Sequence, residues 1–106
     1  MNQFPTIYLD KGGTSVVDVD LTGYDFAGGN LVFTMKAKNS TTVLKEETFT
    51  TPGVHCLVFD CDFTKNLLVG KDVYEYDFFL HVDGERFKQC EPSPIVVGRN
   101  VGGKKR

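Results

Sequence analysis

Residues 72–89 read DVYEYDFFLHVDGERFKQ, and this stretch decides the fold. Tyr74, Tyr76, Phe78, Leu80 and Val82 recur at every second position, with Glu75, Asp77 and His81 between them. Successive side chains of a β-strand point to opposite faces, so the pattern predicts an aromatic stripe on a core and a polar stripe away from it. Phe79 interrupts the polar stripe and is either shielded by a neighbour or part of a contact surface. Asp83-Gly84 follows at once, and both residues tolerate positive φ, as a two-residue hairpin turn requires. Residues 85–91 return from that turn. Pro92 and Pro94 then break the ladder, and residues 95–97 resume it as a short last strand.

Working outward, the same period recurs. Residues 6–10 form a first strand that ends at Gly12-Gly13. Residues 15–21 set Val17, Val19 and Leu21 on one face and Asp18 and Asp20 on the other. A turn-rich stretch with three glycines covers residues 22–30, and residues 31–37 set Leu31, Phe33, Met35 and Ala37 against Val32, Thr34 and Lys36. After a polar turn, residues 42–50 carry Lys45, Glu46 and Glu47 in their middle. Such charges suit an edge strand, because they discourage pairing with another sheet edge. Pro52-Gly53 leads into residues 54–60, which are apolar on both parities (Cys56, Leu57, Val58, Phe59) and so predict a central strand covered on both sides. Residues 63–68 are too few for a stable helix and predict a helical turn or crossing loop. The sum is an all-β chain of seven or eight strands, an antiparallel immunoglobulin-like β-sandwich, with a small closed barrel as the structural alternative. One domain is expected over residues 1–98, followed by a flexible basic tail at 99–106.

The chain has 106 residues, 41% hydrophobic and 25% charged, which excludes a wholly disordered polymer and leaves no room for separate cofactor and substrate domains. Its wholly apolar runs do not exceed four residues, so no membrane-spanning helix is expected. Residues 1–13 show neither a basic start nor an apolar signal core. Cys56, Cys61 and Cys90 cannot all pair with one another, and with the missing signal they point to synthesis in a reducing cytosol. The net charge of −2 is unevenly placed: residues 1–98 hold eight Lys/Arg against fourteen Asp/Glu, whereas Arg99, Lys104, Lys105 and Arg106 face no acid in the last eight residues. An acidic body argues against nucleic-acid binding, since phosphate neutralisation needs a basic face.

The residues that could carry chemistry are few. His55 and His81 sit in no recognisable motif, and no Ser–His–Asp arrangement follows from the spacing. Asp18 and Asp20 share a strand face at about 7 Å, which reads as a solvated face before it reads as a calcium site or an acid–base pair. Asp60 and Asp62 close a strand, where Asp commonly caps a turn. Cys56 and Cys61 would fall on opposite strand faces, wrong for a metal clamp, so Cys56 reads as a small buried hydrophobe. The glycine pairs 12–13, 28–29 and 102–103 lack the strand, lysine and helix of a phosphate loop. No cofactor or metal is therefore expected. Tyr24 and Phe26, flanked by glycines, are the aromatics best placed for an exposed binding loop.

A specific likeness rests on the order of these pieces. LVFTMKAKNSTTVLKEETF from residue 31 is followed by GVHCLVFDCDFTKNLLVGKDVYEYDFFLHVDGERFKQ, and TIYLDKGGTSVVDVDL supplies two opening strands. Over residues 6–97 the chain resembles the small immunoglobulin-like modules of tailed-phage and prophage structural proteins, of baseplate and tail-fibre type. The run Leu68, Gly70, Tyr74 also resembles the tyrosine corner of such folds, in which a Tyr hydroxyl satisfies an upstream backbone group. The resemblance implies a non-enzymatic virion component, made in the host cytoplasm, whose partners are other phage proteins or copies of itself. The candidate contact residues are Tyr24, Phe26, Lys45, Phe79, Arg99, Lys104, Lys105 and Arg106, and the expected docking element is the strand edge at residues 42–50, through strand addition, or the tail after Gly98, through charge. A carbohydrate- or cell-surface-binding module is the alternative, with Tyr24 and Phe26 against a glycan. A small metal-dependent hydrolase built on Asp18, Asp20 and a histidine is third.

Overall fold

The computed structural model describes residues 4–99. These form strands β1 (Ile7–Asp10), β2 (Ser15–Asp20), β3 (Asn30–Ala37), β4 (Val43–Phe49) and β5 (Val54–Phe59), a short helix α1 (Cys61–Thr64), then β6 (Gly70–Val82), β7 (Glu85–Lys88) and β8 (Ser93–Gly98). The class is all-β. The large sheet runs β1-β8-β6-β3-β4, with β7 also paired to β6, while β2 and β5 make a separate two-stranded sheet. The long strand β6 organises the large sheet: β3 lies along one side, and β7 and β8 share the other in succession. Residues 89–92 are the break between those two partners and contain Pro92 as expected, whereas Pro94 lies inside β8 opposite Glu75, at a position where β1 does not yet pair with β8. Asp83 and Gly84 have φ of 52° and 80°, both positive, as the tight hairpin requires.

Two expectations are corrected here. The sheet is mixed rather than purely antiparallel, because β1 pairs in parallel with β8, Ile7 opposite Ile95. These strands come from opposite ends of the chain, and no hairpin turn forces them to run oppositely. The second correction concerns β5, which is not a central strand covered on both sides. Among the described residues it pairs only with β2, turning Leu57 and Phe59 inward and leaving Val54 and Val58 62% and 49% exposed.

The core lies between the inner face of the large sheet and the β2–β5 pair. Val17, Val19, Leu57 and Phe59 meet Leu31, Phe33, Met35, Tyr76 and Phe78 there. Phe33 is wholly buried at the centre, 5.3 Å from Tyr76, 5.6 Å from Phe78 and 6.2 Å from Phe59, measured between ring centroids. Helix α1 seals one end of this core. Asp60 caps it by accepting from the Phe63 amide at 2.9 Å, and buried Thr64 donates to the Gly13 carbonyl at 2.7 Å and accepts from the Gly12 amide. The helical turn expected at 63–68 thus begins earlier, at Cys61.

Tyr74, almost fully buried as the fifth residue of β6, accepts the Leu68 amide on its hydroxyl at 2.8 Å. Tyr74→Phe leaves that N–H without its partner and is expected to cost about 1–2 kcal/mol, read as a lower urea midpoint with an unchanged slope.

Candidate functional site

The outer face of the β2–β5 pair is an open, partly apolar surface. Across it Val16 stands opposite Val58, Asp18 opposite Cys56, and Asp20 opposite Val54. Val16 is 60% exposed, so three of the six side chains on this face are uncovered valines. The Cys56 thiol donates to Asp18 Oδ1 at 3.4 Å, and that bond, with some desolvation, holds the thiol pKa above its ordinary value. Hydrogen bonds from the Thr22 side chain and amide hold the Asp20 carboxyl below its usual range.

The edges of this pair are open as well. The Leu21 amide donates to the Gly53 carbonyl at 2.8 Å in the register that pairs β2 with β5. Hydrogen-bonded and non-bonded pairs alternate in an antiparallel ladder, so His55, Leu57 and Phe59 bond to β2. The backbone groups of Val54, Cys56 and Val58 therefore face outward, and among the described residues no strand pairs with them. Beside this sheet an apolar cavity of about 260 Å³ opens between Phe4, Ile7, Val17, Leu57 and Phe78, with Asp18 and Asp20 at its lining.

The residues singled out from sequence are scattered rather than gathered. Phe26 is buried in the core, which corrects its expected place on an exposed loop. Its ring stands edge-on to Tyr24 at 4.8 Å, and Tyr24 is half-buried, its hydroxyl donating to Gln89 Oε1 at 2.7 Å. Burial, and then the charge of Asp25, pushes the Tyr24 phenol pKa up. Strand β4 is an edge, as expected, and carries a register shift opposite Met35/Lys36. Its Lys45 turns inward: Nζ lies 5.3 Å from the Phe59 ring centroid and 5.8 Å from that of Phe63, with Glu47 at 3.8 Å. Phe79 is half-buried and its neighbour shields it, the Arg86 guanidinium lying 4.6 Å over the ring. Arg99 is exposed, and Lys104, Lys105 and Arg106 lie outside the described residues.

The cysteine expectation also changes, because Cys56 is exposed and Cys90 is the buried thiol. Desolvation pushes the Cys90 pKa up, consistent with an inert core residue. His55 Nε2 lies 2.7 Å from the Thr51 carbonyl and its ring packs on Phe49. Asp18 and Asp20 are each engaged locally, and among the described residues no group of three His, Cys, Asp or Glu side chains is placed to hold a metal ion.

Sequence reasoning missed Asp77. It lies on the outer face of the large sheet and is only 5% exposed, yet among the described residues no hydrogen bond or ion pair reaches its carboxylate. Burial pushes its pKa up, partly countered by Lys36, Lys88 and Arg86 and reinforced by Glu75. A folded-state pKa above the unfolded value makes the ionised group a cost that is present at neutral pH and relieved as pH falls through the raised pKa. Asp77→Asn is therefore expected to raise stability at pH 7, with the gain shrinking as the pH falls through the raised pKa. Thermal unfolding of both proteins as a function of pH checks it.

No protein-family model matches the chain, and no curated protein matches it. Among solved structures it is similar to the N-terminal domain of phage TP901-1 ORF48, with a TM-score of 0.50 and 15% identity over 88% of this chain and 84% of that one. At that identity the likeness is one of fold. The two chains share an all-β architecture over most of their lengths.

Proposed function

We propose that this chain is a non-enzymatic structural or accessory module of a tailed-phage or prophage virion, and that it works by binding other proteins of the particle. The observation that carries the reading is the β2–β5 pair, whose two edges are unpaired among the described residues and whose outer face exposes Val16, Val54 and Val58. Natural proteins blunt free edges with charge, proline or bulges, and β4 does so with Glu46, Glu47 and its register shift. Strand β5 carries no charged residue and no proline, so it suits a partner strand better than β4 does. The apolar cavity next to Val17 offers a pocket for an anchoring side chain. The likeness in fold to a domain of a phage protein supports the virion assignment.

An immunoglobulin-like description is supported by the two facing sheets and by the Leu68 amide on the Tyr74 hydroxyl, the bond of a tyrosine corner. The module spans residues 1–98, and Arg99 with the basic residues 104–106 adds a second, charge-based contact. Tail, baseplate or fibre is the place proposed for it, reached after synthesis in the host cytoplasm. The test is the protein inventory of particles purified by density gradient from the strain that carries the gene. The chain in fixed stoichiometry with the capsid protein supports the reading, and its absence from intact particles contradicts it.

A further inference from the structure

On the opposite face of the molecule, away from the β2–β5 pair, the large sheet carries a groove of about 350 Å³. Its walls include Thr34, Lys36, Glu46, Asp77, Phe79 and Arg86. The register explains the grouping, because Thr34 stands between Glu46 on β4 and Asp77 on β6, and Val32 between Thr48 and Phe79. Asp77 is the unusual member, a carboxylate more than nine-tenths buried with no donor among the described residues. No fully enclosed side-chain oxygen or nitrogen lacks a partner among the described residues, so the Asp77 oxygens keep a narrow access, and the cavity that Asp77 lines is this groove. A buried acceptor without a donor is costly, and such groups concentrate where a ligand supplies the missing bond.

We propose that this groove binds one neutral saccharide ring, with Asp77 accepting hydrogen bonds from its hydroxyls. The charge balance selects the ligand class. Lys36 and Arg86 line the groove together with Asp77 and Glu46, so a cation meets two cations already present and an anion meets two carboxylates. A neutral ring with donors and acceptors on every edge meets no net repulsion. Asp77 and Glu46 accept from it, Lys36 and Arg86 donate to it, and the Thr34 hydroxyl does either. The Arg86 guanidinium already lies over the Phe79 ring, 4.6 Å from its centroid, which restricts its positions before a ligand arrives. The volume accommodates one or two rings. The inference is independent of the virion reading, since it uses the other face of the fold and different residues.

The experiment is an amide NMR titration of the full chain with methyl glucoside, methyl galactoside, rhamnose and N-acetylglucosamine, with free lysine and glycerol phosphate as charged controls. The expected result is weak binding of at least one neutral sugar, Kd about 1 mM, with shifts at residues 34, 46, 77 and 79. Asp77→Asn and Glu46→Gln, both near-isosteric, are expected to weaken it about tenfold each while the rest of the spectrum stays native. The proposal is overturned by no shifts in the groove at about 50 mM of every neutral sugar, fifty times that Kd. Shifts confined to another face overturn it as well. Binding of lysine in preference to the sugars also overturns it and assigns the groove to a basic side chain of a protein partner.

Discussion

Phe33→Ala is expected to destabilise the protein by about 3–5 kcal/mol, the range for removing a wholly buried Phe from a packed core. Phe33 touches the rings of Phe59, Tyr76 and Phe78, so it joins β3 to β6 within the large sheet and to β5 across the interior. Deleting it opens a void on both layers at once, and neither can collapse without breaking its own ladder. For a chain of this size each kcal/mol lowers the melting temperature by about 4–8 °C, so the drop is about 12–40 °C. Differential scanning calorimetry measures it. A shift of only a few degrees would mean that the two sheets do not depend on each other through this ring.

Gly29→Ala is expected to be the second most damaging exchange, at about 3 kcal/mol. A Cβ built at Gly29 would lie 2.1 Å from the His81 carbonyl oxygen and 2.6 Å from Val82 Cγ2. The first contact is with backbone, and the strand that would have to move is β6, which pairs with β3, β7 and β8. Gly28→Ala differs in mechanism, since its φ of 80° strains any L-residue although nothing crowds its Cβ. Denaturant unfolding of the two variants separates them. Gly29→Ala should lose more, and the order reversed would place the constraint in the turn rather than in the approach of the two strands.

Gly29 also shows where sequence reading stops. The glycines of residues 22–30 mark a turn, and a turn is present, but which of them is pressed against another strand is a long-range property. The alternation in β6 was fully legible because its period is local and its core face is aromatic. So were the Asp83-Gly84 hairpin and the break at Pro92 between β7 and β8, although Pro94, expected to break the ladder too, lies within β8. Strand β5 misleads because apolar residues on both parities suggest two covers, and nothing in VHCLVF records that one cover is missing. The parallel β1–β8 pair joins the two ends of the chain, which no turn chemistry can announce.

The candidate sites were less legible than the fold. Phe26 looked free beside its glycines, yet it folds back under Tyr24 into the core. Lys45 sits on the expected edge strand, but its side chain covers Phe59 and Phe63 instead of reaching a partner. Asp77 read as one more polar residue on an alternating strand. Its burial depends on the long side chains that neighbouring strands lay around it.

The proposed attachment of this chain to a phage particle through the open β2–β5 sheet is tested directly by incorporation of the Val16→Lys/Val58→Lys double variant. Both side chains are exposed, so each exchange should change stability by no more than about 0.5 kcal/mol, and a matching melting temperature verifies that the variant folds. Quantitative mass spectrometry of purified particles then compares its copy number with wild type. The account predicts wild type at fixed stoichiometry and the folded variant depleted about tenfold or more. Equal incorporation of the two proteins would contradict it and move the docking surface elsewhere on the molecule.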